Sequence, residues 1–296
     1  MISLGNTDDE NDMFNYGILD GGHTYTAIIE NRDRIPKNIE KYVRVEVVTN
    51  VVNITRLSDA RNTSVQVSDI ALFNLEDSFV DIKEVIKKEP YADKITYKDN
   101  EDKAISISEL LRLMYAFDIK KYTDDSVASI QSYSGKAQVF KRYKEMYSTS
   151  FYKSLTKELP ALVKLYDIIE KDMANKYNDY KKKLGTANPK FGLVKGVDSL
   201  SSPRKTTFLG NMSNYSISSG YIYPVFGAFR ALLKFRKESE EVEWIFDPIE
   251  IWNEVGSSII QNTFESNNNP RLAGKDKQLW LSNYSIVETQ SLRKQL

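Results

Sequence analysis

The strongest fold signal in the chain is a long amphipathic stretch over residues 154–183. Its apolar side chains recur every three or four residues, so they line one face of a helix and leave Lys and Glu on the other face. The members of this apolar stripe are Leu159, Leu162, Val163, Tyr166, Ile169, Met173, Tyr177 and Tyr180. The pattern predicts one long helix, which ends at Gly185.

Helical spacing also dominates the rest of the chain after about residue 104. The segment "SISELLRLMYAFDI" begins with a capping box, in which Ser106 precedes Glu109 by three residues. Two more helices are predicted over "YPVFGAFRALLKF" and "DPIEIWNEVGSSIIQNTF", and the polar segment 196–220 predicts a loop or a pair of short strands. Residues 101–296 are therefore predicted to form a mainly helical region.

The first hundred residues combine short strands with helices. "YGILDGG" predicts a strand ending in a turn, followed by a helix to about Arg34, and the Val-rich alternation of "KYVRVEVVTN" predicts a strand with a buried face. Helical spacing returns over residues 54–60 and 79–86. We expect an acidic mobile tail over 1–15, an α/β core over 16–100, and overall an α/β (α+β) fold whose second half is mostly helical.

Composition excludes several classes of function. The 41 basic residues balance 41 acidic ones, which argues against a uniformly basic nucleic-acid clamp. The absence of cysteine excludes disulfides and thiolate ligands, and a single histidine excludes a multi-His zinc site within one copy. The first residues do not resemble a secretory signal, and no segment has the roughly 20 apolar residues that span a bilayer. A cytoplasmic location without membrane contact is expected.

The only histidine lies in "DGGHT", Asp20 to Thr24, where a predicted strand passes into a predicted helix. The start of a helix leaves backbone N–H groups unpaired and carries partial positive charge, which suits a phosphate. Gly21 and Gly22 let a ligand approach the backbone, the ring of His23 can donate, and Thr24 can cap the helix or bind an oxygen. The alternative is a tight connection in which Thr24 is the N-cap and His23 bonds a carbonyl.

A second polar group follows about 40 residues later in the chain. Asp59, Asn62, Gln66 and Asp69 recur at spacings of three and four, near one face of a predicted helix. Carboxylate and amide oxygens in such a stripe hold a metal ion or hydrogen-bond a base or phosphate. A solvated polar face is the alternative interpretation.

Three segments, "ILDGGHTYTAI", "VRVEVV" and "ITRLSDARNTSVQVSDIALFN", together resemble the central block of the AIPR family of abortive-infection phage-resistance proteins. That block has an Asn-Gly-x-Gln-Thr motif opening a helix, a Val-rich strand, and a helix with an Ala-x-Asn-x-Gln-like signature. Here Asp20 replaces the Asn, His23 replaces the Gln, and Thr24 and Thr26 keep the hydroxyls. The later signature is supplied by Ala60, Asn62 and Gln66.

The resemblance extends more loosely to "SELLRLMYAF" and "SGKAQVFKRYKEMY", so it covers about residues 15–150. The sequence lacks the long N-terminal region usual in the family, so we expect a short member, a fragment or a divergent protein, and the resemblance does not extend to an activity located in that region. The resemblance implies a role in defence against phage.

The same stretch is similar to the ParB and sulfiredoxin-like group, including proteins of the DGQHR type. Their Asp-Gly-x-His-Arg turns start a helix and touch nucleotide phosphates, which implies a ParB-like order of elements and phosphate binding here. This chain keeps Asp20, Gly21 and His23 but has Thr24 in place of the Arg. Loss of the guanidinium removes a bidentate phosphate partner. The resemblance therefore gives less support to nucleotide hydrolysis or transfer, while its support for simple anion binding is unchanged.

Basic and aromatic residues alternate in "KAQVFKRYKEMYSTSFYKS". Such a segment can stack on bases and neutralise phosphates, which makes Lys141, Arg142 and Lys144 candidate nucleic-acid contacts. Arg204 and Lys205 in "SSPRKTTF" are further candidates. The favoured alternative for the first segment is an amphipathic helix whose aromatic rings pack inward while its lysines are solvated.

The leading hypothesis is a phage-defence protein that binds a nucleotide or nucleic-acid phosphate at Asp20 to Thr24, flanked by Asn62 and Gln66. The other hypothesis is a non-catalytic module that docks a protein partner, or a second copy of the chain, through its aromatic-rich helical half. No acid–base pair or nucleophile elbow is evident, so catalysis by a metal-dependent nuclease or a nucleotide-using enzyme stays open. The cofactor is likewise open between Mg²⁺ and a nucleotide, and no metal-ligating residue is predicted.

Overall fold

The computed structural model describes residues 2–4, 16–18, 21–36, 38–50, 73–74, 77–97 and 104–296. The chain divides into two compact units, residues 1–72 and residues 73–296. The domain boundaries predicted after residues 15 and 100 stay predictions.

The described residues of the first unit form a small three-stranded sheet and one α-helix. The strands are β1 (Ile2–Leu4), β2 (Tyr16–Ile18) and β3 (Val47–Val48), in the order β2–β1–β3. β1 runs antiparallel to β2 and parallel to β3. Helix α1 (Gly22–Asn31) follows β2 and continues into a 3-10 turn, Arg32–Arg34, before Pro36.

The Val-rich segment 41–50 forms much less strand than its alternation predicts. Only Val47 and Val48 pair with β1, and the side chains of Tyr42, Val43 and Val45 are exposed. The prediction of a strand with a buried face is therefore wrong for most of this segment. Alternation gives a strand two faces, but a ladder also needs a partner of matching length, and β1 has only three residues.

Some predictions fall outside the described part of the chain. The start of the predicted tail, residues 2–4, forms β1, whereas 5–15 lie outside the described residues. The helix predicted over 54–60 and the polar stripe that follows it also lie outside them.

The second unit is mostly helical. Its described helices are α2 (Val80–Ile86), α3 (Ile107–Ala116), α4 (Gln131–Ser134), α5 (Lys136–Met146), α6 (Ser150–Lys157), α7 (Leu159–Lys183), α8 (Ser219–Ala228), α9 (Pro248–Ser266), α10 (Pro270–Ala273) and α11 (Lys277–Gln295). Its two-stranded pairs are β4 (Ile95–Thr96) with β5 (Ile105–Ser106), β6 (Val197–Lys205) with β7 (Met212–Ile217), and β8 (Leu233–Arg236) with β9 (Glu241–Trp244). The first pair is parallel and the others are antiparallel. The predicted fold class, mixed α/β with a mostly helical second half, is confirmed.

The long apolar stripe belongs to α7, which forms the centre of the second unit. Its predicted members from Leu159 to Tyr180 are all buried, and α7 packs against α3, α8 and α9. The predicted single helix over 154–183 is in fact two helices, α6 and α7, separated at Glu158. Pro160 explains the break, because it lacks an N–H and fits only the first turn of a helix.

The Ser106 cap is confirmed, but only half of the predicted capping box forms. The hydroxyl of Ser106 accepts a hydrogen bond from the N–H of Ser108 at 3.2 Å. The carboxylate of Glu109 pairs instead with Arg112 at 2.7 Å and Lys136 at 3.5 Å. Two cations hold this carboxylate more strongly than one backbone N–H would.

The helix predicted over "YPVFGAFRALLKF" ends earlier than its pattern suggests. After α8 the chain passes through a 3-10 turn, Phe229–Leu232, and becomes strand β8. Lys234 and Arg236 lie opposite Glu243 and Glu241 of β9, so opposite charges face each other across the pair. Pairing with the strand that follows directly overrides the helical pattern here.

Candidate functional site

The "DGGHT" segment starts helix α1 through a left-handed glycine. Gly21 is the N-cap with φ 91°, a conformation that favours glycine. The first helical hydrogen bond runs from the N–H of Tyr25 to the carbonyl of Gly21 at 2.9 Å. The N–H groups of Gly22, His23 and Thr24 precede that bond, so the helix itself gives them no acceptor.

The predicted start near Thr24 is therefore too late. Because Gly21 turns the chain, the helix begins at Gly22, and Thr24 is its third residue rather than its N-cap. Gly21 has no side chain with which to cap the helix. A Cβ built on Gly21 or Gly22 meets no described atom within 4 Å, so the backbone is open to a ligand there.

A pocket of about 570 Å³ adjoins this helix start within the first unit. Gly21 and Thr24 line it together with Arg44 and Glu46. The remaining walls are mostly apolar and comprise Ile2, Ile18, Tyr25, Ile28, Val43 and Val45. The pocket thus joins a positively polarised helix end, one cation, one carboxylate and an apolar surface, and its volume is in the range of small-molecule sites.

Arg44 is the pocket residue that sequence reasoning missed. The candidate motif has Thr24 where the DGQHR pattern has an arginine, and Arg44, from a distant part of the chain, lines the same pocket. The available signal was its position between Val43 and Val45, in a segment where the charged residues Arg44 and Glu46 alternate with valines.

The other predicted ligand residues either do not line the pocket or lie outside the described residues. His23 is exposed, and neither it nor Gly22 is among the residues that line the pocket. The predicted role of the imidazole therefore stays a prediction. Asp20, Asn62 and Gln66 lie outside the described residues, so their predicted roles stay predictions as well.

Most aromatic rings of the basic segment belong to the core of the second unit. Phe140 and Tyr143 of α5 and Phe151 and Tyr152 of α6 are buried. Tyr143 stacks on Phe79, with ring centres 5.5 Å apart. This arrangement agrees with the amphipathic-helix interpretation, because buried rings offer no face to a base.

Arg142 makes a buried ion pair rather than projecting freely into solvent. Its Nε donates to Asp118 at 2.7 Å, and the hydroxyl of Tyr152 donates to the same carboxylate at 2.9 Å. Asp118 is fully buried. The hydrogen bond to Asp118 raises the pKa of Arg142. Lys141 and Lys144 are exposed, and their predicted contact with nucleic acid stays a prediction.

Arg204 is also engaged, on the hairpin formed by β6 and β7. Its Nη2 donates to Glu170 of α7 at 2.8 Å, and the N–H and hydroxyl of Thr207 donate to the same carboxylate at 3.1 and 3.0 Å. Burial raises the pKa of Glu170, and Thr207 and Arg204 lower it in part. Lys205 is exposed, and the predicted nucleic-acid role of both residues stays a prediction.

One helical turn earlier, Asp167 fixes the tip of the same hairpin. This fully buried carboxylate accepts from the N–H groups of Phe208 and Leu209 at 2.9 and 3.1 Å and from the hydroxyl of Thr206. Asp167 and Glu170 together bind one loop to α7. All of their described partners are protein groups that stabilise the fold.

Two negative findings concern the described residues only. Within them, no group of three or more His, Asp or Glu side chains is placed to hold a metal ion. None of the described helices is both long and apolar enough to cross a bilayer.

The chain matches the AIPR protein family over residues 2–270. It belongs to the AIPR family. The match extends well beyond the resemblance found over residues 15–150, and it includes both the pocket and helix α7. Membership of AIPR supports a role in abortive-infection phage defence. No curated protein and no solved structure matches this AIPR chain.

Proposed function

We propose that this AIPR protein acts in phage defence by binding a nucleotide, free or within a nucleic acid, in the pocket beside the start of α1. One observation carries the proposal: Gly21 and Thr24 of the helix start line the same pocket of about 570 Å³ as Arg44. A helix start with an arginine beside it is a favourable place for a phosphate group.

The remaining walls suggest how the rest of a nucleotide is held. The phosphate lies at the edge of the pocket, where it accepts hydrogen bonds from Arg44 and from the N–H groups of residues 22–24, of which only Thr24 lines the pocket itself. Tyr25, Ile28 and Val43 supply an apolar wall for the base. Glu46 supplies an acceptor for sugar hydroxyls, as acidic residues do in other nucleotide sites. This division of roles favours a nucleotide over inorganic phosphate.

The role of Arg44 is tested by calorimetric titration of the full chain with AMP, GMP, ribose 5-phosphate and inorganic phosphate. We expect the nucleotides to bind more tightly than ribose 5-phosphate, and Arg44→Gln to weaken binding about tenfold or more, because it removes a charged hydrogen bond. Arg34→Gln is the matched control, since Arg34 is exposed and does not line the pocket. Equal affinities in the two variants would remove Arg44 from the site.

Two substitutions at His23 separate its backbone from its ring. His23→Pro removes one N–H donor at a first-turn position where proline is tolerated, so we expect weaker binding by about tenfold. His23→Ala keeps the N–H and removes only a ring that does not line the pocket, so we expect an affinity close to wild type. If His23→Ala causes the larger loss, the phosphate is bound by the imidazole instead.

The link to defence is tested in cells that carry the gene and are challenged with phage. We expect wild-type and Arg34→Gln cells to produce fewer plaques than cells without the gene, and Arg44→Gln cells to lose that protection. Full protection by Arg44→Gln would separate ligand binding in this pocket from the defence role.

A further inference from the structure

A second cavity lies in the second unit, apart from the residues of the proposed nucleotide site. It has a volume of about 340 Å³ and is bounded by the end of α7, the segment that follows the 3-10 turn Phe191–Leu193, and the end of α9. No residue that lines it is part of the first unit. Neither the family match nor the predicted basic segments assign it a role.

The floor of this cavity is aromatic. Tyr177 and Tyr180 of α7 and Phe264 of α9 line it. The ring centre of Tyr177 lies 5.1 Å from that of Tyr180 and 5.5 Å from that of Phe264, in edge-to-face contacts that fix the rings. Leu193 adds an aliphatic side chain that is 79% exposed at the rim. Tyr177 and Tyr180 are themselves buried, so the apolar surface that a ligand can reach is formed by Leu193 and the partly exposed Phe264.

The rim of the cavity is positively charged. Lys181 and Lys195 line it together with Asn268; among the described residues no acidic residue lines it, and the negative charge that acts on Tyr180 is that of Glu265. The amine of Lys181 lies 5.1 Å from the ring centre of Tyr180. Residues 181–196 contain five lysines and no acidic residue. Lysines in the last turn of α7 complement its dipole, but Lys190 and Lys195 lie beyond the helix and leave an excess of positive charge.

We propose that this cavity binds single-stranded nucleic acid and holds one nucleotide of the strand. The base packs against Phe264 and Leu193, above the buried tyrosines, and the neighbouring phosphates contact Lys181 and Lys195. Asn268 donates to and accepts from the edge of the base. Aromatic surfaces combined with a lysine-lined rim are the usual means of binding a single strand without strong sequence preference.

A strand fits these observations better than a membrane surface does. The cavity is concave and has room for about one nucleotide, with an amide placed for hydrogen bonding, whereas lipid headgroups attract basic residues without needing a concave aromatic site. The basic segment also continues along the chain from Lys181 to Lys195, which matches a strand that extends past a single nucleotide.

The test measures binding of a fluorescent oligothymidylate to the full chain across a salt series. It is run in the Arg44→Gln background, so that failure of the nucleotide site in the first unit does not affect the outcome. We expect Lys181→Ala with Lys195→Ala to weaken binding at least tenfold and to reduce the slope of log affinity against log salt by about 1.4, because each phosphate that the protein no longer neutralises lowers the slope by about 0.7. The matched control is Lys237→Ala with Lys277→Ala, two exposed lysines that do not line the cavity.

Further probes test the assignment of the ligand. We expect an abasic oligonucleotide of the same length to bind more weakly than oligothymidylate, and AMP to compete poorly because it offers a single phosphate. Equal slopes for the lysine double variant and its control would overturn the proposal. It would also be overturned by equal binding of the abasic strand, by AMP binding as tightly as the strand, or by binding to phosphatidylserine vesicles but not to the strand.

Discussion

At single residues, the partner of each basic side chain decides whether that side chain is available to a ligand. Arg142 and Arg204 are both paired with buried carboxylates, whereas Arg44 lines an open pocket. The sequence gives no signal for this difference, because the partners Asp118 and Glu170 are 24 and 34 residues away along the chain. Ion pairs over such separations depend on the tertiary fold.

Arg142 is predicted to contribute to stability. Arg142→Ala leaves the carboxylate of Asp118 buried with fewer partners, so we expect a loss of about 2–3 kcal/mol in the free energy of unfolding. Lys141→Ala, the neighbouring exposed position, is expected to change it by less than about 0.5 kcal/mol. Urea denaturation of both variants measures the difference. Equal effects would show that the Arg142–Asp118 pair contributes nothing.

The contribution of Arg204 is predicted to depend on pH. Burial raises the pKa of Glu170, so the folded state holds its proton to higher pH than the unfolded state, and this group's contribution to stability falls as pH rises through that window. Arg204 offsets the cost only when Glu170 is ionised. We therefore expect Arg204→Ala to lower the free energy of unfolding by about 1–2 kcal/mol at pH 7 and by less at pH 4. The loss at pH 7 is modest because Arg204 is partly exposed, so solvent screens its charge.

The control for this prediction is Lys205→Ala, the next residue along β6, which is exposed. We expect its effect on the free energy of unfolding to be small at both pH values. A loss for Arg204→Ala that is the same at pH 4 and pH 7 would mean that Glu170 is not the partner that matters.

At the level of elements, the sequence predicted the helices that bury a long apolar stripe and missed features set by distant contacts. α7, α9 and the Ser106 cap follow local patterns of spacing and capping. The short β3 depends on pairing with β1, which lies far away along the chain, whereas the change from α8 to β8 rests on a local hairpin with β9 that the helical interpretation missed. The sequence predicted a glycine turn before α1, but it did not predict that Arg44 lines the pocket.

The packing of α8 against α11 predicts how a substitution at their contact changes stability. A Cβ on Gly227 would stand 2.5 Å from the ring of Trp280, which is fully buried and cannot move aside. We expect Gly227→Ala to destabilise the chain by about 1–3 kcal/mol, despite alanine's better helix propensity. Thermal and urea unfolding measure the effect.

The matched control lies in α9. A Cβ on Gly256 has the Lys176 side chain as its nearest neighbour, at 2.9 Å. The Nζ of Lys176 donates to the carbonyl of Asn253, but its methylene groups can shift more easily than the ring of Trp280. Gly256→Ala is therefore expected to be neutral or slightly stabilising, by up to about 1 kcal/mol. If both substitutions destabilise the chain equally, the contact with Trp280 is not the cause.

At the scale of the whole molecule, the described helices of the two units differ in how many side chains they bury. α1 has no buried residue, whereas α7 buries most of one face along its whole length. Few buried contacts give low local stability, and segments that respond to ligands often come from such regions. We therefore expect the backbone amides of α1 to exchange with solvent much faster than those of α7 when no ligand is bound.

Hydrogen exchange of the full chain with and without saturating AMP is the most direct test of nucleotide binding beside the start of α1. We predict slower exchange over residues 22–25 and 43–46 when AMP is present, and no change in that response when Lys181 and Lys195 are replaced by alanine. Unchanged exchange over residues 22–25 at saturating AMP, or protection confined to the second unit, would contradict phosphate binding at the start of α1.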